Sequence, residues 1–249
     1  MTLDLDRLQL ERCAFFLDVD GTLIDIAASP QEVVIPPDLV QLLHQLQNRT
    51  QGALALVSGR SVDDLRQLLP HLDVIIAGEH GAEIWRPGET PQNLGAAPIP
   101  HELTEALEKI THDFDGVVLE RKPRGRAIHF RAIPTQEYAV RDAVALAVKP
   151  FAQRFEVVPG KMVAEVRTIG IDKGQAIAKL MQDPTFKGRL PVFAGDDVTD
   201  EAGFLIVRAH GGAVIRVGGA PRADLDRHFE TPAELRGWLS RCVTERAPA

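Results

Sequence analysis

The sequence has few cysteines and no long hydrophobic run. Only two of its 249 residues are cysteines, Cys13 and Cys242, which excludes a disulfide framework and favours a reducing compartment. No apolar run approaches the ~18 residues of a membrane span, and the segment from Met1 to Leu10 lacks the basic-then-apolar layout of a signal peptide. We therefore expect a cytoplasmic protein with no membrane partner.

Basic and aromatic residues are also scarce. The 28 Lys and Arg residues are outnumbered by 35 acidic residues, which gives a net charge of −7, so no nucleic-acid partner is expected. Apolar residues make up 45% of the chain and aromatic residues only 5%. The core must therefore be aliphatic, which suits the buried strands of a parallel sheet.

Short apolar runs alternate with amphipathic segments in the first third of the chain. The runs Cys13–Leu17, Ala53–Val57 and Val74–Ala77 are continuously apolar, as is typical of strands buried on both faces. Segments with helical spacing separate them, and Ser61 suits the N-cap of the second one. The same alternation resumes from Asp172. This order predicts an α/β fold with a Rossmann-like, doubly wound parallel sheet.

The alternation is interrupted in the middle of the chain. Arg86–Pro100 contains four prolines and two glycines, a composition typical of a connector. Strands follow on both sides of Lys122–Gly125, and this Pro/Gly turn predicts an antiparallel hairpin. We predict an α/β core formed by residues 1–97 and 169–249, with an α+β domain inserted over 98–168.

Polar breaks follow three of the predicted strands. They are Asp18–Thr22, Ser58–Arg60 and Gly195–Asp200. Ligands of open parallel sheets bind beyond the carboxyl ends of the strands, so we expect these breaks to line one crevice. Lys173, where the sheet rhythm resumes, is a further candidate for this crevice.

The residue types in these breaks suit phosphoryl transfer. Asp18 and Asp20, two positions apart on an extended segment, point to the same side, and close carboxylates favour a bound dication or a shared proton. Asp196 adds a third oxygen ligand, a set typical of Mg²⁺. One aspartate can then attack phosphorus to give an aspartyl-phosphate while the other protonates the leaving oxygen. Ser58 and Lys173 would hold the phosphoryl oxygens.

Each of these residues also has an ordinary structural interpretation. The segment that begins at Asp18 could be a surface turn, Ser58 a helix cap and Lys173 a solvated side chain. Asp197 and Asp200 could cap a helix. The position of the aspartate pair directly after a buried strand favours the functional interpretation. A calcium-binding EF-hand is not expected, because no twelve-residue loop ending in glutamate follows Asp18.

Taken together, the motifs resemble those of a known superfamily, the haloacid-dehalogenase phosphatases. The residues that carry this resemblance are Asp18-Val19-Asp20-Gly21-Thr22, Ser58-Gly59-Arg60, Lys173 and Gly195-Asp196-Asp197-Val198-Thr199-Asp200-Glu201. Over nearly its whole length the chain resembles the trehalose-6-phosphate phosphatases within that superfamily. The segments that carry this narrower resemblance are Gly78–Glu83, Glu120–Lys122, His129–Arg131 and Pro159–Arg167.

The resemblance implies a role for each acidic residue of the core. Asp18 would be the nucleophile and Asp20 the general acid and base. Mg²⁺ would be held by Asp18, by the backbone carbonyl of Asp20 and by Asp196, with Asp197 or Asp200 supporting the site. The serine and lysine motifs would take the phosphoryl-stabilising roles given above.

The resemblance also implies that the inserted domain is a cap that closes over a sugar. Glu120, Lys122 and Glu165 match its sugar-binding positions, which makes chemical sense because carboxylates accept from hydroxyls and an ammonium donates to them. The alternative is a solvated cross-strand charge pair. Arg60 is a further candidate for substrate binding, although an arginine at a helix start often faces solvent. His129 is as compatible with a structural role as with a ligand role.

The implied function is Mg²⁺-dependent hydrolysis of trehalose 6-phosphate to trehalose and phosphate, with a small sugar phosphate as the substrate. A monomer is compatible with it. The alternatives are a phosphatase of sucrose phosphate or a glycosyl-phosphoglycerate, a non-catalytic sugar-phosphate sensor, and a mutase. The intact aspartates argue against a sensor, and Asp20 argues against a dehalogenase.

Overall fold

The computed structural model describes residues 4–27 and 32–244. The chain forms two compact units, one from Met1–Gln92 with Asp172–Ala249 and the other from Asn93–Ile171. The insert predicted over 98–168 falls inside the second unit. Within the described ranges, no helix is both long and apolar enough to cross a membrane.

The described residues form twelve strands and seven α-helices. The strands are β1 (Cys13–Leu17), β2 (Leu54–Val57), β3 (Ile75–Gly78), β4 (Glu83–Trp85), β5 (Gln92–Asn93), β6 (Val118–Arg121), β7 (Arg126–His129), β8 (Phe155–Gly160), β9 (Val163–Thr168), β10 (Leu190–Gly195), β11 (Ala213–Val217) and β12 (Arg227–Phe229). The helices are α1 (Leu39–Arg49), α2 (Val62–Leu68), α3 (His101–Asp113), α4 (Glu137–Val148), α5 (Lys173–Leu180), α6 (Glu201–Ala209) and α7 (Pro232–Thr244).

The larger sheet has the order β12-β11-β10-β1-β2-β3-β4-β5. Strands β12 to β3 of this order pair in parallel, and β4 runs antiparallel to β3. In the register, Leu17 lies opposite both Ala194 and Leu56. The loops that follow β1, β2 and β10 therefore leave the sheet at the same edge, as the sequence pattern predicted.

Helices cover both faces of this sheet, which confirms the predicted doubly wound α/β fold. On one face, Phe15 and Leu17 of β1 share a buried cluster with leucines of α1, α2 and α7. On the other face, the ring of Phe193 lies 5.3 Å from that of Phe204 in α6. Burial of both faces requires continuously apolar strands. The side chain of Ser61 accepts from the backbone N–H of Asp64, so the predicted N-cap of α2 is confirmed.

The second unit has an antiparallel sheet with the order β6-β7-β9-β8. Its predicted hairpin is confirmed, because β6 and β7 pair antiparallel across Lys122–Gly125. One face of the sheet carries Ile128, Phe130 and Val166, which share a buried cluster with residues of α3 and α4. Since side chains alternate along a strand, the opposite face carries Glu120 of β6, His129 of β7 and Glu165 of β9.

Three short strands were not predicted. Glu83–Trp85 and Arg227–Phe229 are three residues each, and Gln92–Asn93 within the predicted connector is two. All are too short for either the alternating or the continuous apolar pattern to show. The first has a consequence for the site, because it places Glu83 beside the start of α2. The carboxylate of Glu83 accepts a hydrogen bond from the backbone N–H of Val62 at 2.8 Å.

Candidate active site

A buried lysine joins two aspartates at the carboxyl edge of the larger sheet. Lys173 Nζ donates to Asp18 Oδ1 at 2.7 Å and to Asp200 Oδ1 at 2.6 Å. All three side chains are buried. Asp18 directly follows β1, Lys173 begins α5 and Asp200 lies in the turn after β10, so three distant segments converge as their positions in the sequence predicted.

Burial and the neighbouring charges shift the pKa values of Lys173 and Asp18. Burial lowers the pKa of Lys173, but the carboxylates of Asp18 and Asp200 raise it by more, so the ammonium stays charged. Burial raises the pKa of Asp18 well above its usual range, and Asp200 and Asp196 add to the rise, against the opposing effect of Lys173. A cation beside Asp18 would therefore favour its ionised, nucleophilic form.

Asp200 organises the loop that carries Asp196. Its Oδ2 accepts from the backbone N–H groups of Asp196 and Asp197 at 2.9 Å each, while its Oδ1 accepts from Lys173. The carboxylate of Asp197 accepts from the backbone N–H of Val198 at 2.7 Å, which caps the turn. Asp200 is therefore a structural support, and Asp197 shows the capping geometry that its position suggested.

Three carboxylates lie close enough to share a metal ion. In the part of the chain that the structure describes, Asp18, Asp196 and Asp200 each offer an oxygen within 4.8 Å of the others. All three are buried, and carboxylate oxygens are the donors that Mg²⁺ prefers. The donor set and the raised pKa of Asp18 fit a divalent cation at this position.

Asp20 lies beside this cluster but is turned toward Arg60. Arg60 donates from Nε to Asp20 Oδ2 and from Nη2 to Asp20 Oδ1, at 2.7 Å each. The backbone N–H of Arg60 also donates to Ser58 Oγ at 3.2 Å. The side chain of Arg60 is only 14% exposed, so it is not the solvent-facing arginine that its position at a helix start would allow. The loop after β2 thus joins the loop after β1.

Thr22 is a site residue to which the sequence motif gave no role. Its hydroxyl donates to Asp18 Oδ2 at 3.0 Å, and the side chain is fully buried. Both oxygens of Asp18 are therefore oriented, one by Lys173 and the other by Thr22. The motif contained the signal, because a threonine four residues after an aspartate can fold back onto it within a tight turn.

The second unit brings its predicted sugar-binding residues together on the polar face of its sheet. Lys122 Nζ lies 2.9 Å from Glu165 Oε1, and Glu120 Oε2 lies 2.7 Å from His129 Nε2. The side chains of Lys122 and Glu165 are 10% and 16% exposed, too buried for a solvated surface pair. Burial raises the pKa of Glu120, but the hydrogen bond with His129 and the charge of Lys122 lower it by more.

The order of the sheet, with the aspartates beyond its central strand, is that of the haloacid-dehalogenase fold. The model of the trehalose-phosphatase family matches residues 16–223. The chain belongs to this family, and it is therefore a phosphoric monoester hydrolase.

Relatives agree with this assignment over most of the chain. A trehalose-6-phosphate phosphatase of Escherichia coli K12 is 38% identical over 93% of this chain and 86% of its own length. A probable trehalose-phosphate phosphatase of Sinorhizobium fredii is 37% identical over 93% and 88%. The C-terminal domain of a trehalose-6-phosphate phosphatase of C. albicans has the same fold, with a TM-score of 0.84 over 99% of both chains at 21% identity.

Proposed function

We propose that the chain hydrolyses trehalose 6-phosphate to trehalose and phosphate, with Mg²⁺, through an aspartyl-phosphate on Asp18. The observation that carries this proposal is the buried contact of Lys173 with Asp18 and Asp200 beside Asp196, in a chain of the trehalose-phosphatase family. The substrate is the one that the name of the Escherichia coli relative gives.

The metal site would consist of oxygens from the loops after β1 and β10. Asp18 and Asp196 would hold Mg²⁺ with their carboxylates, and Asp20 with its backbone carbonyl. Both oxygens of Asp200 already accept hydrogen bonds, so it would support the site from behind. When bound, the ion would neutralise the carboxylates and the phosphoryl oxygens, whose charges otherwise repel each other.

The first step is attack by a carboxylate oxygen of Asp18 on phosphorus. A bond forms between this oxygen and phosphorus, the bond from phosphorus to the sugar oxygen breaks, and Asp20 gives its proton to that oxygen. Water then attacks the phosphorus of the aspartyl-phosphate and loses a proton to Asp20. Phosphate leaves and the carboxylate of Asp18 is restored.

Lys173 and Ser58 would stabilise the phosphoryl group. An ammonium has three donors, and two of those of Lys173 bind carboxylates. Among the described residues it has no third acceptor, so one N–H is left for a phosphoryl oxygen. The Ser58 oxygen accepts a hydrogen bond from the backbone N–H of Arg60. The hydroxyl proton of Ser58 can therefore donate to a second phosphoryl oxygen.

Glu120, Lys122 and Glu165 would bind the disaccharide. A sugar hydroxyl can both donate and accept a hydrogen bond. The ammonium of Lys122 can donate to such hydroxyls, and the two carboxylates can accept from them. Their grouping on one face of the sheet supports a ligand-binding role.

Phosphate release over a substrate panel tests the proposal. The panel contains trehalose 6-phosphate, sucrose 6-phosphate, a glycosyl-phosphoglycerate and glucose 6-phosphate, each with Mg²⁺ and with EDTA. We expect turnover of trehalose 6-phosphate with Mg²⁺ only. Equal turnover of glucose 6-phosphate would contradict a disaccharide site, and preference for another ester would replace the substrate.

Asp18→Asn provides the matched test of the nucleophile. The variant is nearly isosteric and can still accept from Lys173, so we expect an unchanged fold by circular dichroism and no turnover. Acid-quenched wild type, incubated with substrate, should carry phosphate on Asp18 by mass spectrometry. Turnover retained by the variant would contradict the role of Asp18.

A further inference from the structure

The turn after β3 has an unusual backbone. Glu79, His80 and Gly81 have φ angles of +45°, +56° and +99°, so three consecutive residues are left-handed. For residues other than glycine this conformation is unfavourable, because it brings Cβ too close to the following carbonyl oxygen. Such a conformation persists only where the surrounding structure imposes it, and it is frequent at functional sites.

On one side the turn holds the loop that carries Ser58. The backbone N–H of His80 donates to the carbonyl of Ser58, and that of Glu79 to the carbonyl of Arg60, at 2.8 Å each. The imidazole of His80 covers the α-carbon of Gly59, because a Cβ at Gly59 would lie 2.5 Å from its Nε2 and 2.6 Å from its Cε1. The ring of His80 thus sets how closely the loop that carries Ser58 can approach the turn.

On the other side the turn contacts the start of the helix that carries Lys173. A Cβ at Gly81 would lie 2.6 Å from the backbone carbonyl oxygen of Asp172, and Asp172 is the N-cap of α5. Gly81 therefore lets the turn approach the residue just before Lys173. A single turn of three residues contacts the segments that carry both Ser58 and Lys173.

We propose that the left-handed turn Glu79–Gly81 positions Ser58 and Lys173 relative to each other, with His80 as the positioning residue. The inference rests on the proposed function, in which both groups bind one phosphoryl group. His80 acts through Gly59 and through its backbone, without contact with substrate. The geometry of a catalytic site must be held to within a fraction of an ångström, and a misplacement of 1 Å can cost about a hundredfold in rate.

Two substitutions test the contact between the ring and the loop. His80→Asn removes the Cε1 and Nε2 atoms that cover Gly59, and asparagine tolerates a left-handed backbone. Gly59→Ala adds a methyl group where those two atoms lie. We expect each variant to lower kcat by roughly 10- to 100-fold, with a smaller change in KM. The double variant relieves the overlap and should turn over faster than Gly59→Ala alone.

Gly212→Ala is the matched control. A Cβ there would lie 2.2 Å from the backbone carbonyl oxygen of Pro191, at the amino ends of β10 and β11, away from the site. This variant should lower Tm and leave kcat and KM unchanged well below Tm. Loss of kcat in the control equal to that in His80→Asn would assign both effects to stability and overturn the proposal.

Two further outcomes would overturn the positioning role. One is wild-type kcat in His80→Asn, and the other is a double variant whose kcat shows the full product of the two single losses. Hydrogen exchange at the amides of residues 79 and 80 gives a readout that needs no substrate. We expect these amides to exchange faster in His80→Asn than in the wild type. Unchanged exchange would contradict the inference, whether or not the wild type releases phosphate from any ester. That absence of turnover would count against the proposed function alone.

Discussion

The guanidinium of Arg60 binds both carboxylate oxygens of Asp20, from Nε and Nη2, at 2.7 Å each. This bidentate pair fixes the plane of the carboxylate. It also joins the loop of the proposed phosphoryl-binding serine to the loop of the proposed nucleophile. For Asp20 to give a proton to a leaving oxygen, one of the two contacts must open, so Arg60 would control the availability of the general acid.

Arg60→Lys should lower kcat by roughly tenfold or more, because an ammonium cannot bind both oxygens in one plane. Steady-state kinetics on trehalose 6-phosphate measure the effect. Arg66→Lys, at a half-exposed position of α2, is the control and should keep wild-type kinetics. Unchanged kcat in Arg60→Lys would show that the paired geometry has no part in turnover.

Lys173→Met should destabilise the protein strongly. The substitution leaves the buried carboxylates of Asp18 and Asp200 without their cation, which typically costs about 3–5 kcal/mol. Urea denaturation in EDTA at neutral pH measures the free energy of unfolding. Lys179→Met, at an exposed position of the same helix, should change it by less than about 0.5 kcal/mol. Equal losses in the two variants would contradict the buried ion pair.

Cys13 should make stability fall at alkaline pH. Burial raises the pKa of its thiol from 9.0 to about 12, so the folded state keeps a proton that the unfolded state loses above pH 9. The contribution is fully present below pH 9, and between pH 9 and 12 it decreases by about 1.4 kcal/mol per pH unit. Cys13→Ser does not titrate there. The difference between the two unfolding curves should grow with pH, and parallel curves would refute the shift.

Glu120→Gln should raise KM for trehalose 6-phosphate by roughly tenfold, because hydrogen bonds to charged groups contribute about 1.5–3 kcal/mol. We expect a small change in kcat, because Glu120 is proposed to bind the sugar and to take no part in the transfer of the phosphoryl group. Glu108→Gln, which removes the partner of Arg121 in the same unit, is the control for loss of an acidic ion-pair partner. An equal KM in both variants would exclude Glu120 from sugar binding.

Much of the fold could be predicted because its strongest signals are local. The continuously apolar run Cys13–Leu17 is buried throughout, and Ser61 caps α2 as its sequence position indicates. The short strands at Glu83–Trp85 and Arg227–Phe229 gave no such signal, since pairing alone defines them. The predicted cytoplasmic location remains a prediction.

The site could be predicted as a set of loops but not as a set of contacts. Residues that follow parallel strands must meet at one edge, which brought Asp18 and Asp196 together. The partner of Arg60 depends on a contact with a loop 40 residues away in sequence, and no pattern shows that. The role of His80 depends on its left-handed backbone, which appears only once the turn is built.

Because β1 pairs with β10, the site can form only after β10 has been synthesised. Cys13–Leu17 leaves the ribosome well before its neighbour Leu190–Gly195, which follows only after the entire second unit. Pairings between such remote segments are slow to form. Until Asp196 has been translated, one edge of β1 is unpaired and the site around Asp18 is incomplete. The site is completed late, and a nascent chain released before β10 would leave the continuously apolar strand β1 with one edge unpaired, where it can aggregate.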